Sequence, residues 1–136
     1  AALAAIDIVL PAVEIIDSRY KDFRFDLKSV VADNTSAAAY VAGGRCMRPT
    51  DLDLPTLGVV MEKNGEIVEL GAGAAVLGHP AASVAMLANM LAARGEDIPA
   101  GTFIMTGGIT AAVAVEAGDC INVRYQSLGS VGFRFV

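Results

Sequence analysis

The chain has 136 residues, of which 54% are hydrophobic, and a formal net charge of -5 at pH 7. This length is sufficient for one domain with a sizeable core. Its Lys and Arg residues are scattered and outnumbered by acidic residues, which argues against binding to nucleic acid. No run reaches the roughly 18 uninterrupted apolar residues of a membrane helix. We therefore expect neither nucleic acid nor a membrane as a partner.

The first residues and the cysteines indicate a cytoplasmic location. The alanine-rich start lacks a basic region and is interrupted by Asp7, so it does not predict a targeting segment. Cys46 and Cys120 have neither the spacing of a zinc site nor that of a disulfide framework. A reducing compartment is the expectation.

The first third of the chain predicts alternating short elements. Residues 1–6 read as the last turn of a helix, 9–16 as a strand, 17–26 as a charged loop, 26–36 as a short helix and 37–44 as a strand. The polar, proline-containing residues 45–55 predict a surface connection.

The clearest local signal is Asn64-Gly65, which separates two extended runs. This dipeptide supplies the positive φ angles of a type I′ turn and predicts a hairpin of residues 56–63 and 66–72. Residues 80–94 then predict a helix, with Pro80 in its first turn and Gly95 just past its end.

The C-terminal part predicts strands separated by glycine turns. The strands are FIMT (103–106), CINVRYQ (120–126) and VGFRFV (131–136), with turns at Gly107-Gly108, Ala117-Gly118 and Gly129. Strands outnumber helices without βαβ alternation. The predicted class is therefore α+β, with a mixed, largely antiparallel sheet rolled on itself and a few flanking helices.

Glu14 is the first candidate for chemistry, because it lies in the apolar run VLPAVEIIDSR. Alternation along a strand allows it to face outward, opposite Val13 and Ile15. Alternatively it is a ligand of Mg²⁺ or Mn²⁺, which prefer oxygen ligands. One carboxylate cannot hold such an ion alone, and the spacing of the other acids does not predict a metal site.

Two further segments each allow a structural and a functional interpretation. In ADNTS, Ser36 and its neighbours either close the preceding helix or form a nest for a carboxylate. In MTGGIT, Thr106 and Gly107 either form a hinge or provide a backbone surface for a small anion. His79, the only histidine, is explained by its place at the entry of a helix.

Four segments together resemble the C-terminal half of the 4-oxalocrotonate decarboxylases. These enzymes belong to the hydratase and decarboxylase family of the fumarylacetoacetate hydrolase superfamily. The segments are PAVEIIDSRY, VVADNTSAAAYVAGG, LGVVMEKNGEIVELGAGAAVLGHP and FIMTGGITAAV. The resemblance covers essentially the whole chain and implies a β roll like that of the superfamily's C-terminal domain.

The resemblance implies a carbon–carbon lyase of the meta-cleavage pathway of aromatic degradation. With Mg²⁺ or Mn²⁺, such an enzyme decarboxylates 4-oxalocrotonate (2-oxo-3-hexenedioate), a 2-oxo dicarboxylate, to 2-hydroxypenta-2,4-dienoate. It implies that Glu14 is a metal ligand and that Ser36, Thr106 and Gly107 contact the substrate. It also implies a homo-oligomer and a possible complex with the hydratase of the pathway.

The family takes two more metal-binding glutamates and a catalytic lysine from an N-terminal half. We therefore expect residues 1–136 to be a single domain, the C-terminal part of a longer catalytic domain, and to be inactive alone. Two alternatives stay open. One is a 2-hydroxypenta-2,4-dienoate hydratase with the same metal site, and the other is a non-catalytic structural or association module.

Overall fold

The computed structural model describes residues 1–136. Its helices are α1 (Ala2–Ala5), α2 (Leu27–Ala32) and α3 (Pro80–Ala92). Its strands are β1 (Ala12–Ile16), β2 (Ala37–Ala42), β3 (Gly58–Lys63), β4 (Glu66–Ala72), β5 (Cys120–Tyr125) and β6 (Gly129–Arg134). Short 3-10 helices occupy connections at Lys21–Phe23, Asn34–Ser36, Pro49–Asp51 and Gly73–Ala75.

The strands form two separate sheets. One has four strands in the order β4-β3-β5-β6, and the other consists of β1 and β2. Every pair is antiparallel. The predicted α+β class, with antiparallel sheets and few helices, is confirmed, although no parallel pair makes either sheet mixed.

The predicted hairpin is confirmed, and its turn also positions β5. Asn64 and Gly65 have φ angles of 54° and 88°, as a type I′ turn requires. The Asn64 side chain donates to Asp119 Oδ1 at 2.8 Å and accepts the Cys120 N–H at 2.9 Å. One asparagine therefore closes β3 onto β4 and fixes the start of the neighbouring strand.

Helix α3 begins at the residue that its sequence signals indicate and ends at Ala92, two residues before the predicted end. The Nδ1 atom of His79 accepts the N–H of Ala81 at 3.0 Å and caps the helix, with Pro80 in the first turn. Gly95, with a φ of 73°, follows the last turn. The structural interpretation of His79 is confirmed.

Residues 73–92 have the length and the mean hydropathy of 1.4 that would suit a membrane span. Their backbone does not form one continuous helix, because Leu77 and Gly78 have positive φ angles of 52° and 79°. The α-helical part, α3, has 13 residues. At 1.5 Å per residue it is about 20 Å long, shorter than the roughly 30 Å hydrocarbon core of a bilayer.

The core lies against the four-stranded sheet and is small. Its fully buried members are Leu54, Leu57, Val59, Ile121, Val123 and Leu128. Only 14 of the 136 residues are buried, although 54% of the chain is hydrophobic. Much of the apolar surface is therefore not covered by the chain itself.

Two predictions of local structure were wrong. Residues 103–106 are extended but form no strand, because no other strand lies beside them. The connection 45–55 is not wholly on the surface, since Pro49 and Leu54 are buried and Leu54 belongs to the core. Its acidic residues stay exposed while its leucines turn inward, an alternation that the polar composition concealed.

Candidate metal and substrate site

A large, mostly apolar cavity has a volume of about 1470 Å³. It lies between β1, residues 96–113 and the face of the four-stranded sheet that carries Val59 and Val123. Of its 47 lining residues, 33 are hydrophobic. Three of the four predicted site residues, Glu14, Thr106 and Gly107, border this cavity, and Ser36 does not.

Glu14 lies on β1 opposite Tyr40 of β2. Its side chain is exposed at the border of the cavity and makes no hydrogen bond or ion pair within the chain. Val13 and Ile15, its neighbours on the strand, are half-buried. The carboxylate is thus available to a ligand, although it also faces solvent, and both interpretations of Glu14 remain compatible with its position.

Glu14 fits a divalent cation as one ligand of an incomplete set. No group of three or more His, Cys, Asp or Glu side chains in the chain could hold a metal ion. Mg²⁺ commonly binds through one or two carboxylates and keeps water or substrate oxygens as its other ligands. The hard oxygen of Glu14 matches that chemistry, and the remaining ligands have to come from elsewhere.

Thr106 and Gly107 lie in the extended segment along the cavity. Gly107 has a φ of 118°, a conformation that side chains disfavour, and a Cβ there would lie 3.7 Å from Val76 Cγ1. The position therefore requires glycine for its backbone angle more than for lack of space. Without side chains at 107 and 108, a small ligand could approach the main chain closely.

Ser36 is placed differently from the other three residues. It is buried, it does not border the cavity, and its hydroxyl donates to Asp33 Oδ2 at 2.7 Å. Its neighbour Thr35 does border the cavity. Asn34, Thr35 and Ser36 all have left-handed backbones, with φ of 52°, 57° and 60°, so this turn is strained.

Asp33 holds this strained turn against the end of β1. Its carboxylate is 1% exposed and accepts bonds from Ser18 Oγ at 3.0 Å, Arg19 Nη1 at 2.8 Å and the Arg19 N–H at 3.3 Å, in addition to Ser36. Arg19 also donates to the Asp33 carbonyl. The bond from Arg19, followed by that from Ser36, lowers the pKa of Asp33 to about 2.

Sequence reasoning missed the function of this carboxylate. It placed Asp33 only among the neighbours of Ser36 that close a helix or form a nest, and Arg19 only in the charged loop 17–26. The two are 14 positions apart, and only the β1–β2 pairing brings them together. The signal available in the sequence was an acidic residue at the end of a predicted helix, followed directly by three polar residues.

Tyr125 connects the four-stranded sheet to β1, the strand that carries Glu14. Its hydroxyl donates to the carbonyl of Ala12 at 2.6 Å, two residues before Glu14 on β1. The ring borders the cavity, and burial raises the pKa of Tyr125 to about 12. The phenol, protonated at neutral pH like any tyrosine, serves as the donor that ties β1 to the larger sheet.

No family model matches the chain. Among curated proteins, it is 73% identical over 98% of its length to 4-oxalocrotonate decarboxylase from Pseudomonas putida, and 71% identical to that from Pseudomonas sp. strain CF600. A 2-hydroxyhexa-2,4-dienoate hydratase from Comamonas testosteroni is 39% identical over 98% of the chain.

Solved structures give the same result. The chain matches 4-oxalocrotonate decarboxylase from Pseudomonas putida G7, complexed with magnesium and adipate, at a TM-score of 0.96 and 70% identity. A second structure of that enzyme, complexed with calcium and acetate, matches at 0.93 and 68%. Each match covers 99% of the chain. The predicted resemblance to the C-terminal half of this enzyme is confirmed.

The chain spans about half the length of the curated relatives and solved structures that it matches. It covers 51% of the Pseudomonas putida decarboxylase and 51% of the chain crystallised with magnesium. The relatives therefore contain a further portion of similar length, which has no counterpart among these residues.

Proposed function

We propose that this chain contributes the C-terminal part of the active site of a divalent-metal-dependent 4-oxalocrotonate decarboxylase. The reaction would release CO₂ from 2-oxo-3-hexenedioate and leave 2-hydroxypenta-2,4-dienoate. The proposal is carried by the 73% identity to such an enzyme over nearly the whole chain. The unpaired Glu14 carboxylate at the border of the cavity supports it.

Glu14 would be a ligand of Mg²⁺ or Mn²⁺ rather than an acid or base. The magnesium in the matched decarboxylase supports this assignment of the cofactor. When bound, the ion would act as a Lewis acid on the 2-oxo group of the substrate. The other metal ligands and the catalytic lysine would come from the portion of the longer protein outside these residues, so residues 1–136 alone would be inactive.

Thr106 and Gly107 would orient the substrate by hydrogen bonds from a hydroxyl and from the backbone. Ser36 would contribute at the same end of the substrate. Because its hydroxyl donates to Asp33, it can donate to a substrate carboxylate only by exchanging that bond. The apolar lining of the cavity would exclude water from the conjugated carbons.

The same resemblance supports further expectations about the complete protein. We propose a roll like that of the fumarylacetoacetate hydrolase superfamily, a homo-oligomeric assembly in the cytoplasm and an association with the hydratase that consumes the product. The hydratase itself is the second candidate for the activity. The chain's identity of 39% to the 2-hydroxyhexa-2,4-dienoate hydratase, against 73% to the decarboxylase, favours decarboxylation.

A non-catalytic association module is the remaining alternative, and the exposed apolar side chains favour it as a description of the isolated segment. The complete protein should be assayed with Mg²⁺ for CO₂ release from 2-oxo-3-hexenedioate and for hydration of 2-hydroxypenta-2,4-dienoate. Decarboxylation without hydration is expected. Hydration alone would replace the proposal by the hydratase, and neither activity would favour the module.

Glu14→Gln tests the role of the metal ligand in the complete protein. We expect Mg²⁺ affinity and turnover to fall by at least about 10- to 100-fold, because even groups that only support a metal ligand have effects of that size. Far-UV circular dichroism should stay unchanged. Glu66→Gln, on the exposed start of β4, is the matched control. Equal metal dependence in both variants would contradict the assignment.

A further inference from the structure

Residues 103–115 run along the cavity without any backbone pairing. Between the N–H of Thr102, which donates to Pro99, and that of Glu116, which donates to Asp119, no backbone N–H donates a hydrogen bond. The strands of the four-stranded sheet, by contrast, are all paired in hydrogen-bonded ladders. Thirteen successive residues thus leave their backbone donors free beside an apolar surface.

This unpaired segment has the side-chain pattern of a strand. From 103 to 106 and again from 112 to 116, exposed and half-buried residues alternate with a period of two. The outward residues include Phe103 and Met105, which are 44% and 37% exposed. Both faces of the segment are therefore apolar, as in a strand that is covered on both sides.

The segment is held in place and is not a loose loop. The Ala114 carbonyl accepts from Lys63 Nζ at 3.0 Å. At Gly71 of β4, a Cβ would lie only 2.6 Å from the carbonyl oxygen of Ile109, so the two backbones are in close contact. The chain bends at Ile109 and Thr110, but the stretches with the strand pattern, 103–106 and 112–115, lie on an anchored backbone with free N–H groups, which is a template for another strand.

We propose that residues 103–115 pair with a β-strand from the portion of the longer polypeptide that lies outside residues 1–136. This inference rests on the proposed function, which makes the chain one part of a longer enzyme. The matched decarboxylases are about twice as long as the chain, so an intramolecular strand is available. Pairing would satisfy the free amides and cover Phe103 and Met105.

The same strand would also complete the site. Thr106 and Gly107 lie in the unpaired segment, and Glu14 borders the same cavity. Tyr40, which is opposite Glu14 in the β1–β2 pair, stacks on Phe103, so a strand hydrogen-bonded to the residues around Phe103 would lie close to Glu14. The chain itself holds no cluster of three metal-ligating side chains. The backbone pairing and the missing ligands would be supplied by one portion of the protein.

Hydrogen exchange in the complete protein tests the pairing directly. The paired amides of residues 103–115, about every second one, should exchange as slowly as those of β5, at least about 100-fold more slowly than those of the turn 126–128. Exchange throughout 103–115 as fast as in the turn would overturn the proposal.

A photo-crosslinking amino acid in place of Phe103 identifies the segment that lies against residues 103–115. Phe23, exposed and away from the cavity, is the matched control position. A crosslink from position 103 to a peptide outside residues 1–136, with an unchanged mass on a denaturing gel, is expected. A doubled mass would mean that a second copy lies there, and no crosslink would mean an open segment; both overturn the proposal.

Neither measurement uses substrate or metal, so the pairing and the enzymatic activity can fail separately. Protection and an intramolecular crosslink without decarboxylation would refute the proposed function and leave the pairing intact. Decarboxylation with fast exchange and no crosslink would refute the pairing alone.

Discussion

The two sides of the molecule differ in how far the chain completes them. Every strand of the four-stranded sheet has a hydrogen-bonded neighbour, and Val123 and Leu128 are almost completely buried against one face of it. Across the cavity, β1 and β2 form a sheet of only two strands, and residues 103–115 have no partner. We call the four-stranded sheet with its core the finished side, and β1, β2 and residues 103–115 the open side, because the chain leaves their apolar surface uncovered.

Few bonds join the two sides. They include the bond from the Arg45 N–H to the Leu128 carbonyl at 2.7 Å and that from the Tyr125 hydroxyl to the Ala12 carbonyl. Two-stranded sheets are at best marginally stable alone. The strand that carries Glu14 is therefore held in position by these bonds and by the packing of Val13 against the core.

The sharpest test of the finished core is Leu128→Ala. Leu128 is 2% exposed, and its truncation in the complete protein should lower the free energy of unfolding by about 2–5 kcal/mol. Leu70→Ala on β4, where the side chain is 65% exposed, is the matched control and should cost less than about 0.5 kcal/mol. Urea unfolding measures both. Equal losses of unfolding free energy in the two variants would contradict a core confined to the face of the sheet against which Leu128 is buried.

Tyr125→Phe tests the connection between the two sides. Removing the hydroxyl leaves the Ala12 carbonyl without its donor, so the free energy of unfolding should fall by about 1–3 kcal/mol. If this bond positions Glu14, the Mg²⁺ affinity of the complete protein should fall as well.

Tyr40→Phe provides the control for that substitution. Tyr40 stacks on Phe103 with ring centroids 5.2 Å apart, and the variant keeps the ring. Its stability and metal affinity should stay close to those of the parent. Unchanged metal affinity in Tyr125→Phe, despite a loss of stability, would limit Tyr125 to a structural role.

Acid should lower the stability of both sides, because each side is held by one carboxylate with a lowered pKa. Asp33 on the open side and Asp119 on the finished side both have a pKa of about 2, lowered chiefly by bonds from Arg19 and Lys63. Because the folded-state values lie below the ordinary value of 3.8, each group stabilises the fold above about pH 4. That contribution is lost as the pH falls from about 4 towards 2.

Asp33→Asn and Asp119→Asn should each lower the free energy of unfolding at pH 7. In each variant this free energy should also fall less steeply between pH 4 and pH 2 than in the parent. Urea unfolding at several pH values measures the decline. Tryptic cleavage after Arg19 at neutral pH should rise in Asp33→Asn and not in Asp119→Asn, because only Asp33 holds that residue. Identical decline in the parent and both variants would show that neither pair controls acid stability.

Local signals predicted the finished side well. Asn64-Gly65 specifies a turn by its own backbone preferences, and Pro80 with Gly95 marks the limits of a helix, so neither requires knowledge of distant residues. The strand at 120–125 was found by its composition. The site was only partly predictable, because the functions of Glu14, Ser36, Thr106 and Gly107 came from a resemblance and no contact within the chain tests them.

The amino-acid sequence by itself determined the hairpin, the long helix and the existence of a large apolar surplus, because these follow from short-range backbone preferences and from composition. Tertiary structure alone decided that Asp33 meets Arg19, that Tyr125 reaches Ala12 and that residues 103–106 stay unpaired. Those features depend on which distant segments become neighbours. A strand exists only where a second strand supplies its hydrogen bonds, and no residue within 103–106 carries that information.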